Sequence, residues 1–397
     1  MRTLVVSFYY TPEMGAAPSR ITNLARGLKD NGIDVDVLTC MPNYPKGRIF
    51  EGYRHRFSMK ENIDGIDVYR YWTYACNSKN PVKRVIAMLS FAFTMWFFAF
   101  RFRLIKSYDR IIIQSPPLLV ASSAMFLFKK MKRKNVILNV SDLWPVSAVE
   151  LGVMKEGGRS HRFMLRHERF IYRNADAVMG QSQEIINHVL EMFPEKKTFL
   201  YRNLQENGNP VQQDFSGKRK NGLKIVYAGL FGVAQDLLSL IKNIDFKQLN
   251  VEFHLYGGGN QLDEILKYIG DGEKNVFYHG FLQKTELAAE LKKYDVSIIP
   301  LMTSIKGAVP SKIFDILPHG IPILFSGGRE GADIVNDFGL GLTSEPADYK
   351  TLERNIRKFA EMPDNEYNKY IDNCLSASSD AFSFKKQMMR FANFIKE

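Results

Sequence analysis

GAVPSKIFDILPHGIP, residues 307–322, is the stretch on which the fold turns. Just before it runs VSIIP, Val296–Pro300, and at its end begins PILF, Pro322–Phe325. Both are short apolar runs, suited to strands covered on two faces. Pro310 fits the first turn of a helix, and Gly320 fits its end. Strand, helix and strand in so short a span make a βαβ unit, which implies parallel strands and a right-handed crossover. Ser311 and Lys312 add a hydroxyl and an ammonium where backbone N–H groups and the helix dipole already favour an anion. Asp315 lies one turn on, on the same face, and can accept two hydrogen bonds from a ribose diol. Val309, Pro310, Ser311, Lys312 and Asp315 therefore read as a diphosphate and ribose site.

The same alternation extends in both directions. Strands are expected at Leu4–Phe8, Val35–Thr39, Arg110–Gln114 and Val136–Val140, then at Leu223–Ala228, Val251–Tyr256 and Asn275–Tyr278. Helices are expected near 236–244, 261–269, 284–293 and 311–317. Ile21, Leu24, Ala25 and Leu28 recur at helical spacing between the first two strands, and Asn31-Gly32 stops that helix. The run 203–222, rich in Asn, Gln, Gly and Lys, has almost nothing to bury and reads as a hinge. A chain of 397 residues is too long for one ordinary core. The expected division is a first doubly wound domain at 1–203, a second at 204–378, and a C-terminal helix at 379–397 crossing back to the first. Ligands of such folds lie outside the carboxyl ends of the strands.

Composition narrows the partners. Hydrophobic residues at 45% and charged residues at 24% exclude disordered and collagen-like chains. Cys40, Cys76 and Cys374 are too few and too widely spaced for a disulfide framework or a zinc site, and suit a reduced cytosolic compartment. The net charge is +12, but residues 1–200 carry 30 Lys and Arg against 17 Asp and Glu, whereas the remainder carries 24 against 25. The excess lies wholly in the first half and points to an anionic partner there.

Several segments of that half carry chemistry. Gly15, Ala16 and Ala17 are small residues before a helix; they would admit a phosphate, or form a plain turn. No G-x-G-x-x-G accompanies them. Asp34-Val35-Asp36 alternates with apolar residues like a half-buried strand start, and is discounted as a metal site. The loop 41–57 mixes aromatics with Lys46, Arg48, Arg54 and Arg56, and suits a phosphate-bearing lipid better than nucleic acid. Asp142, beside Trp144 at the end of a strand, either grips a hydroxyl or caps the next turn.

Two segments bear on membranes. Val85–Phe100 is sixteen residues without a charge, between Lys83-Arg84 and Arg101, Arg103 and Lys106. At about 24 Å as a helix it is short for a span. It reads either as a buried core helix or as a helix dipped into a membrane interface. Arg159, Arg162, Arg166, Arg169 and Arg173 form one helical stripe, either a solvated face or a contact with anionic lipid. Phe163, His167, Phe170 and Ile171 on the opposite face are expected to pack inward.

With YYTPEMGAAPSR, MPNYPKGRIFEGY, SDLWP, YAGLFGVAQ and VPSKIFDILPHGIPI in view, the chain resembles the family 4 retaining glycosyltransferases over essentially its whole length. The resemblance implies the α/β GT-B fold, two Rossmann-like doubly wound domains facing across a cleft. It is to the subgroup that builds O-antigen and capsular polysaccharide, with similarity to N-acetyl-fucosamine transferases. It implies transfer from a UDP-sugar, an N-acetylated deoxyhexose being one candidate, to an undecaprenyl-diphosphate-linked acceptor.

Residue by residue, the resemblance implies that Asp315 holds the ribose, in place of a glutamate, and that Gly307 stands where many relatives have another glutamate. Gln235 occupies the position of a phosphate-binding lysine, so Lys312 supplies that charge. Gly15 faces the donor diphosphate and Phe281 seats the base. Asp142 orients the acceptor hydroxyl or takes its proton, and with Lys312 it is the expected catalytic pair. Glu13, Arg20, Tyr44, Arg48 and Trp144 would meet the acceptor; Trp96, Arg101, Arg103, Arg162 and Arg166 would face the membrane. No metal and no cofactor are expected. The partners implied are a nucleotide sugar, a lipid-linked saccharide and an anionic membrane surface, without nucleic acid, and the place is the cytoplasmic face of the bacterial inner membrane. Two other readings on the same fold are a non-catalytic nucleotide-sugar-binding subunit and a sugar-nucleotide epimerase.

Overall fold

The computed structural model describes residues 1–78, 80–206, 222–270 and 274–397. Most of the expected hinge, 207–221, lies outside them. The chain divides into two compact units. The first comprises residues 1–206, 305–308 and 384–397, and the second the intervening 207–304 and 309–383.

The first unit runs β1 (Arg2–Val6), α1 (Ala16–Asp30), β2 (Asp34–Cys40), β3 (Ser58–Ile63), β4 (Ile66–Tyr71), α2 (Pro81–Thr94), α3 (Phe102–Ser107), β5 (Arg110–Ser115) and α4 (Leu118–Met125). It continues with β6 (Asn135–Val140), α5 (Val146–Glu150), α6 (Arg159–Asn174), β7 (Ala177–Gly180), α7 (Gln183–Met192) and β8 (Lys197–Leu200). Among the described residues it holds an eight-stranded sheet ordered β3-β4-β2-β1-β5-β6-β7-β8. Every pairing is parallel except that of β3 with β4. The two-residue alternation of a strand explains how one sheet serves two cores. Leu4, Val6, Ile111 and Ile113 face a cluster built with α2, α4, α6 and α7. Val5 and Ile112 face the other cluster, built with α1.

The second unit runs β9 (Leu223–Leu230), α8 (Leu237–Asn243), β10 (Val251–Gly258), α9 (Leu262–Ile269), β11 (Val276–Tyr278), α10 (Lys284–Leu291), β12 (Val296–Pro300) and α11 (Lys312–Ile316). It closes with β13 (Ile323–Ser326), α12 (Arg329–Asp337), β14 (Gly341–Ser344), α13 (Tyr349–Glu361) and α14 (Asp364–Ser379). Its six strands are ordered β11-β10-β9-β12-β13-β14, all parallel among the described residues. The last helix, α15 (Phe384–Lys396), packs in the first unit. Met388, Phe391, Ala392 and Ile395 join the cluster on α1. The approach is close: a Cβ on Gly27 of α1 would lie 2.6 Å from Met388 Cγ. The Gln387 amide also bonds both the N–H and the carbonyl of Arg202, at 2.9 Å each.

The expected parallel strands are present, with ends displaced by one or two residues. β1 stops at Val6 because the Ser7 hydroxyl turns the chain, donating to the Tyr9 carbonyl at 2.8 Å. The β3–β4 hairpin was not expected from the sequence. Its two-residue turn is Asp64-Gly65, both at positive φ, 52° and 75°. That is the type I′ geometry that Asp-Gly favours, so the signal was present.

The apolar stretch corrects the reading of Val85–Phe100 as a core helix. Pro81–Phe100 is a 20-residue stretch long and apolar enough to cross a membrane, and only 33% of its apolar window is buried. Its last turn, Met95–Phe100, is 3-10. Ala87, Phe91, Met95 and Phe98 enter the core. Phe93 and Phe100, 68% and 71% exposed, point away with Ile86, Leu89 and Phe97. The stretch has no charge, and its two hydroxyl residues, Ser90 and Thr94, bond the Tyr74 N–H and the Trp72 carbonyl, so no polar residue marks its outer face and periodicity cannot separate the two sides.

Candidate active site

The first unit ties the loops after β1 and β2 together with two buried charges. The Glu13 carboxylate accepts from the N–H groups of Asn43 and Tyr44 at 2.8 Å each and of Tyr10 at 3.2 Å. Burial pushes this carboxyl up, and the three N–H bonds oppose that. Glu13 therefore holds the loops and is not available to an acceptor, contrary to the sequence expectation. Arg70, fully buried on β4, bonds the Thr11 carbonyl, the Cys40 carbonyl and Glu61, and lies over the Tyr53 ring. Sequence reasoning missed it, because nothing local distinguishes an inward arginine in a strand.

The same loops position two of the expected residues. Gly15, at φ 132°, precedes α1 without a side-chain cap, and a Cβ there would lie 3.2 Å from the Tyr44 ring. Tyr44 in turn meets Tyr9 edge to face. Arg48 is not with them. It lines a separate pocket with Arg54, His55, Arg56, Phe57 and Trp72.

Asp142 follows β6, where the Ser141 N–H bonds the Ser115 carbonyl at 2.9 Å. It does not cap α5, whose N-cap is Pro145, so the capping reading falls. Burial raises its carboxyl, and Arg20 opposes the shift. Arg20 is lowered by its own burial, with Asp142 and Tyr201 raising it. Its Nε has no hydrogen-bond partner among the described residues. Asp142 and Arg20 thus form an electrostatic pair at the carboxyl end of the sheet, and Trp144 packs beside them on the core.

The membrane-facing expectations divide. Arg101, Arg103, Arg162 and Arg166 are exposed. Arg101 also lies 5.2 Å from the Tyr69 ring centroid. Trp96 is partly buried: its indole N–H donates to Ser123 at 2.8 Å and its ring stacks on Phe126. Phe163, expected to pack inward, is half exposed against His167. Glu168, Ile171 and Tyr172 form the buried face of α6.

In the second unit the expected donor residues converge at the carboxyl ends of β9, β10, β11 and β12. Gly229 and Gly257 are register partners on β9 and β10. A Cβ on Gly257 would lie 1.9 Å from the Gly229 carbonyl oxygen, so only glycine fits. A Cβ on Gly229, whose φ is 151°, would lie 1.5 Å from Lys312 Nζ. The lysine amine occupies the place of the absent side chain. There it donates to the Ala228 carbonyl and sits 4.7 Å from the Tyr227 ring centroid. Burial pushes the ammonium down to about 8, and Asp315 opposes that.

Loop contacts gather the others. The Met302 N–H, after β12, bonds the Ala234 carbonyl at 2.8 Å, next to Gln235. The Gln235 amide oxygen is buried with no partner among the described residues. The Gly257 N–H bonds the Gly280 carbonyl at 2.8 Å, which sets Phe281, 74% exposed, at the same edge. One expectation needs correction. α11 has only five residues, and the N–H groups of Ile313, Phe314 and Asp315 are spent on the carbonyls of Pro310 and Ser311. Val309, Pro310 and Ser311 therefore offer an anion less backbone than expected, and the positive charge is chiefly Lys312. Sequence reasoning missed Tyr227 and Gly257; the run Tyr256-Gly257-Gly258-Gly259 at a strand end was the available signal.

Two doubly wound units, each with its polar residues at the carboxyl end of a parallel sheet, define the GT-B class. A family described as glycosyl transferase 4-like domain matches residues 15–201, and one described as glycosyl transferases group 1 matches residues 209–374. The chain belongs to the family 4 type of GT-B glycosyltransferases. It is 25% identical over 381 residues to the putative colanic acid biosynthesis glycosyl transferase WcaI of Escherichia coli (strain K12), covering 91% of this chain and 93% of that protein. Its fold is similar to sucrose-phosphate synthase of Thermosynechococcus elongatus, with TM-score 0.73, 14% identity and coverage of 100% and 98%. HepE of Anabaena in complex with UDP matches with TM-score 0.69, 13% identity and full coverage of both chains.

Proposed function

We propose that this glycosyltransferase moves a sugar from a UDP-sugar to an undecaprenyl-diphosphate-linked acceptor, with retention of configuration and without a metal. The setting is cell-surface polysaccharide synthesis at the inner face of the bacterial inner membrane. One observation carries the reading: the Lys312 ammonium, nearly buried, lies on the backbone at Ala228-Gly229, where a leaving diphosphate would need positive charge. The name of the Escherichia coli relative supports the polysaccharide setting. The UDP bound by HepE supports the nucleotide. The exposed arginines and apolar face of the first unit support the membrane.

In this reaction the acceptor hydroxyl approaches the anomeric carbon on the face that UDP leaves. The bond from that carbon to the phosphate oxygen breaks as the new glycosidic bond forms. The hydroxyl proton passes to the departing phosphate oxygen or to Asp142, whose burial makes it a stronger base than an exposed carboxylate. Asp315 holds the ribose and Phe281 the base. An N-acetylated deoxyhexose is the donor sugar to test first.

The test combines a panel of UDP-sugars with a lipid-linked acceptor and determines the anomeric configuration of the product by NMR. Transfer with retention, in the presence of a chelator, is the expected result. UDP binding by calorimetry without any transfer would identify a non-catalytic binding protein instead. Epimerised sugar nucleotide formed without acceptor would identify an epimerase.

A further inference from the structure

A groove of about 890 Å³ runs between α2, α4 and α6 of the first unit. Its walls are Leu89 and Phe93 of α2, Leu119 of α4, Phe126, and Phe163 and Phe170 of α6. The polar groups that reach it are already matched to one another. Ser122 Oγ pairs with His167 Nδ1 at 2.9 Å, and Ser123 Oγ accepts from the Trp96 indole at 2.8 Å. A ligand that needs hydrogen bonds finds few partners here, and a hydrocarbon chain loses nothing by entering.

Two further observations choose the chain. Arg166 lines the groove beside an exposed arginine stripe, so the occupant carries negative charge at one end. The groove also borders the first turn of α4, the helix that follows β5. Leu119 lies in that turn, four residues after Ser115, whose carbonyl at the end of β5 accepts from the Ser141 N–H, next to Asp142. We propose that this groove holds the isoprenoid chain of the lipid diphosphate acceptor. The proposal rests on the lipid-linked acceptor reading above and adds the place where the tail lies. It makes the first unit a reader of the lipid carrier as well as of the sugar.

The test uses the full chain in detergent with geranylgeranyl diphosphate carrying a diazirine at the end remote from the diphosphate. After irradiation, adducts are expected within 85–96, 119–126 and 163–170. Unmodified geranylgeranyl diphosphate should suppress them about tenfold, while inorganic diphosphate and phosphatidylglycerol should not. Adducts outside these segments would overturn the proposal. So would equal suppression by phosphatidylglycerol, since the groove would then hold bilayer lipid.

Phe93→Glu provides a second arm, because this exposed side chain can change without disturbing the core. It should raise KM for an undecaprenyl-linked acceptor about tenfold and leave kcat nearly unchanged. An unchanged KM would count against the groove. Labelling inside the groove without transfer to any acceptor would sink the acceptor reading alone. Transfer with labelling elsewhere would sink the groove alone.

Discussion

At the carboxyl edge of the eight-stranded sheet, side chains fill the space: Glu13 and Arg70, of opposite charge, each hold two loops together by bonds to backbone groups. At the same edge of the six-stranded sheet the space is cleared by Gly229 and Gly257, and a single amine reaches in. The topologies are alike, but one end is built to keep its shape and the other to admit something. The half of the sequence with almost no net charge holds the lysine that burial brings to about 8. The strongly basic half spends much of its charge on exposed helices. Net charge therefore locates a surface and not a site.

The contrast can be broken most forcefully at Arg70. Arg70→Met leaves the Thr11 and Cys40 carbonyls and Glu61 without their partner, and should cost the first unit about 3–5 kcal/mol. That lowers its Tm by roughly 10 °C. UDP affinity of the second unit should not change, and calorimetry on the same sample checks both. A loss of UDP binding together with the Tm would show that the two ends are not separate devices.

Lys312→Met should lower kcat/KM by about 10²–10³, as removal of a charge facing the leaving group does. Circular dichroism should be unaltered. Asp142→Asn should lower kcat by about 10² and leave the KM for donor in place. Equal losses in both variants' donor KM would move Asp142 to the donor side.

Gly229→Ala keeps every charge yet places a methyl where the Lys312 amine lies. A fall of about tenfold in UDP affinity, by calorimetry, would show that the vacancy and not the charge alone makes the site. The smallest effect is on pH dependence. The Lys312 amine is protonated below about 8 and loses its charge above it. Hence kcat/KM should fall as pH rises through about 8, and the limb in kcat should lie higher because a bound diphosphate favours the ammonium. Lys312→Arg should remove the limb. Its persistence there would assign the titration to another group.

Much of this was legible in the sequence because it is local. β12, α11 and β13 were announced by an apolar run, a proline, a glycine and a second apolar run. That placed Lys312 at a strand's carboxyl end. The contact of Lys312 with Gly229 was not legible, since it joins residues far apart in the chain and neither has a local signature. Glu13 looked like an acid in a binding loop; only its three backbone partners reveal a staple. The short strands β7 and β8, four residues each, fall below the length at which alternation can be recognised. The Asp64-Gly65 signal is present in the sequence, but β3 is mostly polar: Met59 and Ile63 alone mark its inner face, with Glu61 between them.

Pro81–Phe100 has a further consequence during synthesis. As it leaves the ribosome it has the length and hydropathy of a membrane span. Lys83 and Arg84 stand near one end and Arg101 and Arg103 at the other, so the charges that normally orient an inserting helix give no direction. Whether it is diverted to the insertion machinery turns on how early its buried side finds partners. Phe98 packs on Tyr69, already made, and on Phe128, still to come. Phe8, after β1, likewise meets Phe91, and Leu38 of β2 belongs to the same core cluster, so β1, β2 and β4 are all made before the helix they cover. Early assembly of these strands therefore helps decide whether the nascent chain becomes a folded enzyme or a misinserted one.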